Sequence, residues 1–133
     1  MSRHKFARGL TGLSAAGFFI AAMLHTSGYQ SVTLLAQQGP SGLSGLVSAL
    51  WLAFSAAMIT LGLIVAILAR GQLGGARAIL ILAACFPLAT AALQLRFLGF
   101  IPPVAILGTI ALVTFAGAVA SPRSPGLTSG SAA

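Results

Sequence analysis

Few side chains in this sequence could act on another molecule, and most of them fall near the ends of apolar segments. His25 stands with Thr26, Tyr29 and Gln30 where the first such segment closes, Trp51 lies about two turns into the second, and Gln94 and Arg96 close the third. An imidazole, a phenol, an indole, carboxamides and a guanidinium gathered at one level of a bilayer would form a polar pocket edged by aromatic rings. Its chemistry would be recognition: a neutral imidazole gives or takes a hydrogen bond and suits a carbonyl such as that of a quinone or an acylated headgroup. Polar groups at membrane depth are costly unless paired or wet, which makes the cluster a site candidate. The same residues have plainer uses, with His25 bonded to a neighbouring helix, Tyr29 and Trp51 anchored at the interface, and Arg96 reaching phosphates.

Reaction chemistry is poorly served. The count of Asp plus Glu is 0, so no carboxylate can pass on a proton, orient a histidine or pair with a nucleophile, and no catalytic centre is expected. His4 lies in the basic N-terminal stretch, at the opposite end of the first segment from His25, which argues against a haem held by both. The single cysteine, Cys85, sits in an apolar segment with Pro87 and Thr90 and excludes an internal disulfide or a CxxC pair. No metal and no cofactor is expected, and a quinone or lipid is the kind of guest the cluster would take. The net charge is +7, but the basic residues punctuate apolar runs instead of lining a polar face. Nucleic acid is therefore not an expected partner, and the charges read as topology signals and contacts for anionic lipid.

Positioning falls to helices in a bilayer. Hydrophobic residues make up 58% of the chain and its mean hydropathy is +1.04, outside the range of soluble domains. No Lys or Arg occurs between Arg8 and Arg70, a stretch too long for one crossing of about 20 residues. It must hold two spans, broken at Gln37-Gln38-Gly39-Pro40-Ser41-Gly42. Residues 31–36, moderately apolar, are expected at the interface or against the bundle. The fold class is an all-α integral membrane protein, with a basic cytoplasmic tail over residues 1–8, spans at about 9–29, 43–69, 78–96 and 103–120, and a disordered tail over 121–133. The N-terminus has the charge pattern of a signal peptide, but Met23, Leu24 and His25 follow Ala21 and Ala22, so the first span is expected to be retained. Pro87 predicts a kink in the third span that frees the Ala83 carbonyl, with Thr90 placed to mend it. Pro102 and Pro103 suit the first turn of the fourth.

Small residues mark the helix faces that meet. Gly17, Ala21 and Gly28 share a face with His25, and Ser48, Ser55 and Gly62 line one side of the second span with Gly45 and Ala66. Short turns predict successive helices side by side, giving an antiparallel four-helix transmembrane bundle. Arg3, Lys5, Arg8, Arg70, Arg77 and Arg123 then share one side and Arg96 alone takes the other, which predicts an N-in, C-in topology. The expected protein is a non-catalytic component of a bacterial-type inner membrane, multi-pass with both termini cytoplasmic. It would serve as a structural or accessory subunit, or as a homo-oligomer, with lipids, other transmembrane subunits or itself as partners. The rival expectation is a binder or carrier of an amphipathic molecule, a quinone, lipid or sterol-like compound, held in an outer-leaflet pocket of His25, Tyr29, Gln30, Trp51, Gln94 and Arg96.

Overall fold

A computed structural model describes residues 3–40, 43–70 and 76–121. Ser41 and Gly42 of the first break, the middle of the 70–77 turn and the tail beyond Ser121 lie outside the described residues. The regular structure described is entirely helical: α1 Arg3–Ser27, α2 Tyr29–Gln37, α3 Leu43–Ala69, α4 Ala76–Leu98 and α5 Pro102–Ala120. With α1 and α2 taken together as His4–Gln37, the structure has 4 helices long and apolar enough to cross a membrane. Helix α5, with 19 residues, is ~28 Å long at about 1.5 Å per residue and matches a hydrocarbon core of about 30 Å. The α1–α2 rod, with 34 residues, reaches ~51 Å on the same rise and must tilt or project.

Helix α1 begins at Arg3, so residues 3–8 continue the first span as helical turns, which their Lys and Arg content favours. Residues 29–37 form α2, which packs on α3, so the stretch expected at the interface or against the bundle lies against the bundle as a helix. The break between α1 and α2 is local to Gly28. The Gly28 amide donates to the His25 carbonyl at 3.1 Å and the Trp51 indole Nε1 donates to the same oxygen at 2.8 Å. That carbonyl is thus held by a tight turn and by a neighbouring helix, and the α-helical register is interrupted there.

Helix α1 is the hub of the bundle. It packs along α3 and along α5, and α5 packs along α4. Helices α3 and α4 follow each other in the chain but touch only slightly, so successive helices are not side by side throughout. The cause is close approach to α1 on two sides. An added Cβ at Gly62 of α3 would lie 3.2 Å from Phe18 Cβ, one at Gly17 would lie 3.0 Å from Ile110 Cγ1 of α5, and one at Gly117 of α5 would lie 3.1 Å from Thr11 Oγ1. Glycine at these points lets the helices close to a distance that larger residues forbid. Phe18, Met58, Val65, Leu80 and Ile110 fill the core between them.

Buried hydroxyls are satisfied within the bundle. Ser14 and Thr114 hydrogen-bond across α1 and α5, and Thr114 also donates to the Ile110 carbonyl at 2.6 Å. Helix α4 runs unbroken through the buried Pro87. Thr90 Oγ1 donates to the Phe86 carbonyl at 2.9 Å, the usual back-bond of a helical threonine to the carbonyl four residues earlier.

Candidate functional site: an aromatic-edged polar pocket

The break at Gly28 sets the site. By holding the His25 carbonyl, Trp51 is drawn flat against the end of α1, where its ring stacks on the His25 imidazole at 3.8 Å between centroids and 15° between planes. Phe54, one helical turn on from Trp51, tilts against the other reach of the imidazole at 4.5 Å and meets Phe86 of α4 at 5.7 Å. Beside this aromatic row, Thr26 Oγ1 donates to Ser55 Oγ at 3.0 Å, a second tie between α1 and α3. An added Cβ at Gly28 would come within 3.1 Å of the Trp51 ring. Glycine is therefore what allows the indole to lie where it does.

A pocket of about 240 Å³ opens next to this seam. Ala21, Leu24, His25 and Gly28 supply one wall, Trp51 and Phe54 of α3 a second, Gln94 of α4 a third, and Pro103, Ile106 and Leu107 of α5 the last. Every long helix contributes, so the site exists only in the assembled bundle. The lining is largely apolar, and no Lys or Arg belongs to it. Two of its polar atoms, His25 Nε2 and Gln94 Oε1, are buried and make no hydrogen bond. Each such orphan costs about 1–3 kcal/mol, and native structures keep few of them.

Of the residues singled out from sequence, His25, Trp51, Gln94, Ala21 and Gly28 line the pocket. Tyr29 is half-buried and Gln30 exposed on α2, and neither lines it. Arg96 is exposed at the end of α4, its guanidinium carbon 5.6 Å from the Phe97 ring centroid, and is likewise outside the lining. Among the packing residues, Gly17 and Gly62 lie at close helix approaches, Ser55 is buried at the Thr26 tie, and Ser48 is half-buried on α3. Phe54, Pro103, Ile106 and Leu107 were not picked out from sequence. Phe54 could have been found, since it lies three residues from Trp51 on the same helical face. Among the described residues there is no group of three or more side chains able to hold a metal ion.

The length and composition of its helices make this a multi-pass membrane protein. No family model, no curated relative and no solved structure matches the chain.

Proposed function

We propose that this protein is a non-catalytic binder or carrier of a small amphipathic molecule, a quinone, lipid or sterol-like compound, in a bacterial-type inner membrane. The observation that carries this reading is the pair of unpaired polar atoms, His25 Nε2 and Gln94 Oε1, in an otherwise apolar pocket edged by Trp51 and Phe54. An apolar cavity with a few convergent polar groups is the usual form of a small-molecule site. The orientation that goes with it is an antiparallel bundle with both termini cytoplasmic, as the distribution of Lys and Arg favours, which puts the pocket in the outer leaflet.

The reading as a structural or accessory subunit, or as a homo-oligomer, has less support. The small residues that suggested it, Gly17, Gly28 and Gly62, are engaged inside the chain, against Ile110, Trp51 and Phe18. The test is purification in mild detergent followed by organic extraction and mass spectrometry. A co-purifying amphiphile in near-stoichiometric amount, lost in Gln94→Leu, is the expected result. Stoichiometric protein partners with no retained small molecule would favour the subunit reading instead.

A further inference from the structure

We infer that the molecule held in this pocket is uncharged and carries a hydroxyl group, presented to His25 and Gln94 at the end of an apolar ring or chain. This rests on the pocket being a binding site, and it narrows the ligand by charge, by hydrogen-bond sense and by size.

Charge is decided by what the walls lack. The lining holds no Lys or Arg, and Asp and Glu do not occur anywhere in the chain. An ion buried there would find no countercharge, at a cost that only pairing offsets. A neutral group is the one the site accepts.

Hydrogen-bond sense is decided by the two orphans. The Gln94 carbonyl oxygen can only accept, while a neutral imidazole nitrogen donates in one tautomer and accepts in the other. With the proton on His25 Nε2, the pair presents one donor and one acceptor. A hydroxyl answers both, donating to Gln94 Oε1 and accepting from His25 Nε2–H. A carbonyl or ether oxygen only accepts and leaves the Gln94 oxygen unserved.

Size and shape come from the remaining walls. The volume of about 240 Å³ falls below the roughly 300–1,000 Å³ of pockets that enclose a whole drug-sized ligand. It admits the polar end of an amphiphile with its first ring or few methylenes. The stacked His25–Trp51 pair and Phe54 offer aromatic surface to that ring, and Ile106 and Leu107 offer apolar surface opposite.

Trp51 is the sole tryptophan of the chain and belongs to the pocket, so its emission reports occupancy directly. The experiment titrates the full-length protein in nanodiscs with para-hexylphenol, its methyl ether and hexylbenzene, compared at equal concentration within the bilayer. The expected result is saturable quenching by the phenol, with the ether and the hydrocarbon at least about tenfold weaker, since each strands the Gln94 acceptor. Gln94→Leu should reduce the advantage of the phenol to about twofold or less. His25→Phe, which keeps a ring against Trp51, should weaken the phenol by a similar factor. Equal binding of all three compounds overturns the hydroxyl inference and leaves the binding site standing. Quenching that never saturates with any of them removes both.

Discussion

At Gly62 an added methyl group would lie 3.2 Å from Phe18 Cβ and 3.2 Å from Phe19 Cζ. Gly62→Ala crowds Phe18 and Phe19 across the α1–α3 contact, and we predict a loss of about 1–3 kcal/mol, read as a lower Tm in detergent. Gly108 has no neighbour within 4 Å of such a group, so Gly108→Ala should be neutral or stabilise by up to about 1 kcal/mol through reduced chain entropy. The opposite ranking of these two variants would contradict the packing described. The pocket gives a matching contrast. Arg96→Lys should retain ligand as the wild type does, because the guanidinium lies outside the lining, whereas Gln94→Leu should not. Loss of ligand in both would place Arg96 in the site. His25, Trp51 and Gln94 were legible because polar and aromatic groups stand out in an apolar span. Arg96 lies outside the lining, a distinction the sequence does not carry because it reports depth and not azimuth: two residues from Gln94 is a rotation of about 200° around the helix. Ile106 and Leu107 could not be told from their neighbours, since every residue of an apolar span looks alike.

Among elements, the seam between α1 and α3 is where a single change should be felt most clearly. Trp51→Phe keeps an aromatic ring near His25 but removes the donor to its carbonyl, and we predict a loss of about 0.5–1.5 kcal/mol. Thr26→Val removes the bond to Ser55 and should lose a similar amount. Because the two sites share one seam, their double variant is expected to depart from additivity, and strict additivity by thermal unfolding would show that the ties act independently. The existence of the long helices could be read from hydropathy, because length and apolarity set them directly. Helix α2 could not. Its residues, with Gln30 and Gln37 among Leu34 and Leu35, are neither apolar enough for a span nor polar enough for a loop, and only contact with α3 settles them as helix.

For the whole molecule, the topology makes a prediction that needs no ligand. In a Cys85→Ala background, single cysteines at Gln37 and Gln72 should react with an impermeant thiol reagent from opposite faces of sealed cells, Gln37 from outside. Labelling of both from one face would refute four crossings. The neighbour order within the bundle was not legible in the sequence. Short connections suggested that each helix packs on the next, but the tightest approaches are set by Gly17, Gly62 and Gly117 against α1 and its partners. A glycine reports that something comes near without saying what.

That neighbour order also bears on the timing of synthesis. Among the described helices, α1 is made before α3 and can receive it as soon as it emerges, whereas α4 has its one extensive interface with α5, which follows it in the chain. Until α5 arrives, α4 waits in the lipid nearly alone. At roughly 5–20 residues per second, the delay for the 19 residues of α5 is about one to four seconds. During that interval α4 is the segment most open to membrane proteases and to insertion chaperones. A nascent chain cut after Leu98 and stalled beyond a flexible linker long enough to clear the ribosome should therefore show α4 cross-linking to the insertion machinery, and release of α4 should follow when α5 is included.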